Sequence, residues 1–298
     1  MISIIICTLE EEIKYVLSDN IEKTIGVDYE VIYIYNENNK YSIFEAYNLG
    51  VSKAKFSICC FMHDDIIYQT FNWGAFVVEY FEKNKDLGAI AVAGCKYLRK
   101  MPSIWSIPKY NVFNIIQSDK KNKVKYWLND SKAENIIVFD GMWFCIRKSL
   151  FDIIEFDKIT YDGFHFYDLD IAMQIYIAGF KIKSVPNILI EHTSMGYLDR
   201  NWLKNAFKFY SKWSFFLPVS LVQEDKNLFI SLEDSAIISM LRTIKNEKAY
   251  SFLKPWFFVS ISVKGNIFRF TVVMLRFLFS FFNKNKKYLT YSKSLKYK

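Results

Sequence analysis

Two aspartates two residues apart, Asp168 and Asp170, stand in FYDLDI at the mouth of an apolar periodic run. Ile171, Ile175 and Ala178 follow at helical spacing and Gly179 ends the run, so both acids belong to a helix N-terminus. A carboxylate there can cap free amides and complement the helix dipole, or it can take a proton from a substrate hydroxyl. A second acidic set, His63-Asp64-Asp65, ends an apolar run far upstream, and His192 ends the strand-like ILIEH downstream. Carboxylate and imidazole together hold divalent cations, and a cation offsets the charge of a diphosphate.

Such groups act only if the chain brings them together. Residues 2–7 are almost purely apolar and rich in isoleucine, the pattern of a strand buried on both faces of a parallel sheet. Thr8 can cap the next helix, and Glu10, Glu11 and Glu12 favour its first turn. Residues 30–35 read as a strand ending in the polar turn Asn36-Glu37-Asn38-Asn39. Residues 43–53 read as a helix with Phe44, Tyr47 and Val51 on one face, and residues 56–62 as a third buried strand. A helix over 73–84 and a strand over 87–93 continue the alternation. Repeated βαβ units imply an α/β domain, and ligands of such sheets bind beyond the carboxyl ends of the strands. Cys7-Thr8, Asn36 and His63-Asp64-Asp65 occupy those ends.

From 94 to 134 the pattern breaks down, with Pro102, Pro108, Trp105, Trp127 and the basic cluster Lys120, Lys121, Lys123 and Lys125. The stretch reads as a long irregular loop able to cover a donor or an acceptor. Residues 135–139 and 143–147 read as strands around an Asp140-Gly141 turn, which on its own is an ordinary hairpin signal, and Ser149 as a helix cap.

Taken in order, FMHDDI, the small-residue turn DGMWF, FYDLDI and IEHTS resemble the inverting glycosyltransferases of family 2 with the GT-A fold, closest to bacterial members that write HxD for the usual DxD. The resemblance covers about the first 195 residues. It implies a Rossmann-like, mostly parallel sheet flanked by helices over residues 1–196, with nucleotide-sugar binding in about 1–93 and the acceptor side in about 94–196. It further implies a nucleotide pocket of Thr8, Asn36, Asn48 (in AYNLG) and Asp64. Gly141 and Met142 would lie near the donor sugar, with Asp140 reaching a hydroxyl. Asp65, His192 and His63 would hold Mn²⁺ or Mg²⁺, and Asp168 would be the catalytic base. His63 departs from the family's Asp; imidazole suits Mn²⁺ better than Mg²⁺. Tyr167 stands where many relatives have Glu, Asp170 would steady its helix, and His165 reads as loop packing.

The expected function is thus metal-dependent, inverting transfer of a sugar from a nucleotide diphosphate, UDP first, to a hydroxyl of a glycan or lipid-linked glycan, in bacterial surface polysaccharide or glycoconjugate synthesis. A sugar nucleotidyltransferase would want a glycine-rich basic loop after the first strand, where CTLEEE is acidic. A non-catalytic glycan- or nucleotide-binding protein on the same fold is the other alternative.

Composition adds a second theme. The 298 residues are 52% hydrophobic and 18% aromatic, with net charge +8 and pI near 9.0. No nucleic-acid motif accompanies the charge, so an anionic lipid or acceptor is expected as the partner. The five cysteines form no CxxC pair and read as reduced core residues, and the N-terminus lacks a signal-peptide pattern, so a cytoplasmic protein is expected. Residues 197–298 form a helical, aromatic and basic region, with helices over 201–216, 232–246 and 249–282. Lys264, Arg269 and Arg276 interrupt the last one, making it a poor transmembrane span. Asn266, Arg269, Arg276 and Asn283 share one stripe, and Lys284, Lys286 and Lys287 follow. The pattern predicts a helix in a membrane interface, peripheral on the inner face of the cell membrane. Packing on the catalytic domain or on a second subunit is the alternative, and the oligomeric state stays open.

Overall fold

Ile2, Ile4, Ile5 and Ile6 are wholly inaccessible to solvent, because the strand Ile2–Thr8 runs inside a seven-stranded sheet covered on both faces. Burying each such side chain contributes about 1.5–3 kcal/mol, and it is this gain that holds the strand between two layers. The computed structural model describes residues 1–9, 13–118, 123–127, 132–194, 196–223 and 225–282. The predicted roles of Glu10 to Glu12, Lys120, Lys121, Asn283, Lys284, Lys286 and Lys287 fall outside the described residues, as do the side chains of Lys123, Lys125 and Arg276.

The chain divides into two compact units, 1–223 and 224–298. The first therefore extends beyond the expected boundary at 196 and includes the helix Arg200–Trp213. Its main sheet runs in the order Asn135–Ile136, Lys181–Ser184, Leu87–Ala91, Trp143–Arg147, Ile58–Met62, Ile2–Thr8, Tyr29–Tyr35. Ile2–Thr8 is parallel to both its neighbours, while Trp143–Arg147 runs antiparallel to Ile58–Met62 and to Leu87–Ala91. The reversal has a consequence for the site. Trp143 opposes Met62, so the residues just before Trp143 sit at the same rim as the residues just after Met62.

The α/β alternation holds in the first half. Ile43–Lys53 is a helix opened by a capping box, in which Ser42 and Glu45 satisfy each other's backbone amides. Gly50 lets this helix touch the central strand, since a Cβ there would lie 2.2 Å from Ile5 Cγ2. Ile13–Thr24 and Trp73–Lys83 are the other helices of this half.

Residues 94–134 are not an irregular loop. They supply much of a second sheet, ordered Val138–Phe139, Ala93–Cys95, Asn111–Ser118, Ile190–His192, Ile66–Tyr68, with Lys123–Trp127 pairing beside Asn111–Ser118. In Asn111–Ser118 buried and half-buried positions do not alternate cleanly, which hides a strand from a period-two search. Nor is Asp140-Gly141 a hairpin: Val138–Phe139 belongs to the second sheet and Trp143–Arg147 to the first. Ser149 lies inside the 3₁₀ turn Lys148–Asp152 and caps no α-helix.

In the second unit Lys226–Asn246, Leu253–Lys264 and Ile267–Phe282 are helices. The single helix expected over 249–282 is broken at Gly265, whose φ of 80° is the left-handed conformation that closes a helix.

Candidate active site

Register brings the predicted groups together. His63 and Asp65 leave the main sheet at Met62 and enter the second at Ile66, and Ile66 pairs directly with His192. His63, Asp65 and His192 can each direct one ligand atom into a space where those atoms lie within 4.8 Å of one another.

The hydrogen bonds fix how these groups face. Gln117 Oε1, an acceptor, takes the Nδ1 hydrogen of His192 at 3.2 Å, which leaves Nε2 facing Ser194 Oγ at 3.1 Å and Asp65. Asp65 Oδ2 accepts from the Ser194 amide at 2.8 Å and the Thr193 hydroxyl at 3.2 Å. Asp65 Oδ1 is buried, has no hydrogen-bond partner, and lies 3.4 Å from His192 Nε2. A carboxylate oxygen left buried without a hydrogen bond costs about 1–3 kcal/mol, and a cation bound beside it would satisfy it. Burial first, and the charge of His192 next, hold the His63 imidazole below its ordinary range, so it is neutral and able to ligate. The donor set fits a divalent cation, and its two imidazoles suit Mn²⁺ better than Mg²⁺.

Asp168 opens the helix Tyr167–Ile177, after Phe166 at φ 73°. Its Oδ2 accepts from the Gly141 amide at 3.0 Å and its Oδ1 from its neighbour Leu169 at 2.9 Å. Burial, with the negative charge of Asp140 second, pushes this carboxyl up to about 7. The same turn serves the cation cluster, because the Met142 carbonyl accepts from the His63 amide at 2.9 Å. Asp140, in turn, accepts from Met142 N at 2.9 Å and from Trp105 Nε1 at 3.2 Å. Asp140-Gly141-Met142 therefore touches the raised carboxyl at one residue and the imidazole-carboxylate cluster at the next.

A family model described as glycosyltransferase-like matches residues 3–202. The chain belongs to the glycosyltransferase-like family. The matched residues lie within the α/β unit, and the helices of the second unit follow them. No protein of curated function matches its sequence. Among solved structures, GalNAc-T7 with UDP, GalNAc and Mn²⁺ aligns at TM-score 0.49 and 10% identity over 72% of this chain and 49% of that one. A197 from STIV aligns at TM-score 0.37 and 7% identity over 65% of this chain and 86% of that one. The chain spans about half the length of the GalNAc-T7 structure.

The remaining expected site residues divide into two groups. Thr8, Asn36 and Asp64 lie at adjacent strand ends, and Cys7 registers two of them: burial pushes its thiol up to about 11, Asn36 hydrogen-bonds it and Asp64 adds repulsion. Asp64 is half-exposed and makes no side-chain hydrogen bond among the described residues. Asn36 is largely committed to its own turn, bonding both the amide and the carbonyl of Tyr41. Asn48 does not fit the pocket implied for it. Its amide donates to the Phe156 carbonyl at 2.7 Å and accepts from the Phe156 amide at 3.1 Å, so both its polar groups fasten a distant loop.

Asp170 is a tie between elements. Only 1% exposed, it accepts from Tyr161, Gln174 and Trp213 Nε1 and pairs with Lys212 at 2.9 Å, docking the helix Arg200–Trp213. His165 pairs with Asp199, the N-cap of that helix, at 3.3 Å.

Three residues of the candidate site carry no sequence motif of their own. Tyr167 Oη lies 2.9 Å from His63 Nε2, Gln117 orients His192, and the half-exposed ring of Phe164 lies 5.5 Å from that of His63. Only Tyr167 left a trace, as the residue standing where relatives have Glu.

Proposed function

We propose that the chain transfers a sugar from a nucleotide diphosphate, UDP first, to a glycan or lipid-linked hydroxyl with inversion at the anomeric carbon. The observation that carries this reading is the turn Asp140-Gly141-Met142, which joins a carboxyl raised to about 7 to a cation-fitting cluster within two consecutive residues.

In the proposed displacement the acceptor oxygen bonds to the anomeric carbon. The bond from that carbon to the diphosphate oxygen breaks with its electron pair, and the hydroxyl proton passes to Asp168. One displacement assisted by one base inverts the centre. A base whose affinity for protons sits near the working pH is effective without being protonated throughout. The Gly141 amide and the helix start fix its carboxylate before substrate arrives. His63, Asp65 and His192 would hold the cation, which when bound neutralises charge on the departing diphosphate. Thr8, Asn36 and Asp64 would line the nucleoside side, and Gly141 and Met142 would lie beneath the donor sugar. The acceptor's placement in bacterial surface polysaccharide or glycoconjugate synthesis belongs to this proposal.

Calorimetric titration with UDP- and GDP-sugars, with and without Mn²⁺, tests it. A UDP-sugar that binds at least tenfold more tightly with Mn²⁺ is the expected result. Failure of every nucleotide sugar to bind in the presence of Mn²⁺ refutes the reading.

A further inference from the structure

From Tyr250 to Lys298 the sequence holds ten lysines and arginines and no acid, together with nine phenylalanines. Those ten cations exceed the net charge of +8 for the whole chain, so the preceding residues are net acidic by two. The positive charge of this protein is a property of its last segment.

Two described helices of that segment, Leu253–Lys264 and Ile267–Phe282, meet at a sharp bend of 109°. No single helix among the described residues is long and apolar enough to cross a membrane. The inner sides of the bent pair are packed: Trp256 and Phe270 lie 5.6 Å apart, and Trp256 donates to the Ile237 carbonyl at 3.0 Å. The outer sides are not. Five consecutive residues from Gly265 to Arg269 are exposed at the apex, where Ile267 is 59% and Phe268 75% exposed. Phe258 and Leu275 extend the apolar surface along the two arms. Lys264 does not interrupt it, being ion-paired to Asp234 and nearly buried.

We propose that the apex Gly265–Arg269 and the apolar sides of its two arms insert into one leaflet of an anionic bilayer, with Arg269 on the headgroups. Large apolar side chains concentrated at a bend suit a wedge pushed between lipids, whereas a span would need about 20 apolar residues in line. Charge chooses among occupants. A second copy of this face would bring a wholly cationic segment against itself, while an anionic lipid surface attracts each cation. The inference does not depend on the sugar or nucleotide proposed above.

Flotation of the full chain with vesicles of phosphatidylcholine alone, or of phosphatidylcholine mixed with an equal amount of phosphatidylglycerol, tests it. The expected result is strong flotation with the mixed vesicles, at least tenfold weaker with phosphatidylcholine, and partial release by added salt. The double variant Ile267→Asp, Phe268→Asp should lose binding to the mixed vesicles at least tenfold, with helical circular dichroism and nucleotide titration unchanged. Should that variant lose its helicity, Phe258→Asp on the other arm replaces it. Three outcomes overturn the proposal. They are flotation indifferent to the apex or arm substitutions, equal binding to both vesicle types, and a dimer by light scattering that the substitutions dissociate while the wild-type chain fails to float.

Discussion

The Tyr167 hydroxyl lies 2.9 Å from His63 Nε2 and its ring fills the space beside Gly141, where a Cβ would come within 2.1 Å of Tyr167 Oη. One side chain thus orients a candidate metal ligand while requiring glycine in the turn that holds the candidate base. Tyr167 stays protonated, since burial raises it well above the ordinary tyrosine range, and it keeps its hydrogen bond at any working pH.

Tyr167→Phe removes the partner of His63 and almost nothing else. Partners of metal-bound histidines typically contribute 10–100-fold in affinity, so Mn²⁺ binding should weaken by about that factor. Titration of Mn²⁺ followed by electron paramagnetic resonance reads the change directly. An unaltered affinity means that His63 is not a ligand or that Tyr167 does not orient it.

Asp168→Asn should lower kcat by about 10²–10⁴-fold, the range for loss of a general base. Nucleotide affinity should not change, because Asp168 faces the Gly141 turn and not the Thr8, Asn36 and Asp64 strand ends. Joint loss of transfer and of nucleotide binding would assign Asp168 to scaffolding.

The pH profile follows from the same carboxyl. It must be ionised to accept a proton, and its value is raised to about 7, so kcat/KM should rise with pH through an inflection near 7. The repulsion of Asp140 is the second cause of that elevation, so Asp140→Asn should move the inflection to lower pH. A profile flat between pH 6 and 8, on the order of a unit either side of that value, removes Asp168 as the titrating base.

Asn48→Ala should destabilise the protein by about 2 kcal/mol, since it strands both the amide and the carbonyl of Phe156. Urea denaturation measures this loss. Titration of the folded variant with nucleotide should give the wild-type affinity; a weakened one would return Asn48 to the nucleotide pocket.

Asp170→Asn should cost more stability than Asp168→Asn, on the order of 3 kcal/mol, because it removes the charge facing Lys212 in a buried site. Part of the pairing survives, as Lys212 also meets Asp157 at 2.7 Å. Equal losses for the two variants in the same denaturation series would show that the tie to the Arg200–Trp213 helix is dispensable.

Much of the architecture is legible from local pattern, and the reason is chemical. An isoleucine-rich strand such as Ile2–Thr8 has nowhere to go but between two layers, and Ser42 with Glu45 marks a helix start because the two side chains satisfy each other's amides. Residues 94–134 hid their strands because Asn111–Ser118, paired on both sides, mixes buried and half-buried residues without strict alternation. The break at Gly265 was hidden for a related reason. A helix with apolar residues on most of its surface has no polar face whose interruption would betray a kink.

The sequence by itself determined which side chains could do chemistry: Asp168 at a helix start, and His63, Asp65 and His192 at strand ends. Only the tertiary structure decided which of them meet, because pairing Ile66 with His192 and Met62 with Trp143 is a matter of register between distant strands. It also decided that Asn48 and Asp170 are fasteners, since a polar group's role depends on what stands within hydrogen-bond reach, and those partners lie 108 residues away for Asn48 and 43 for the Trp213 bond to Asp170.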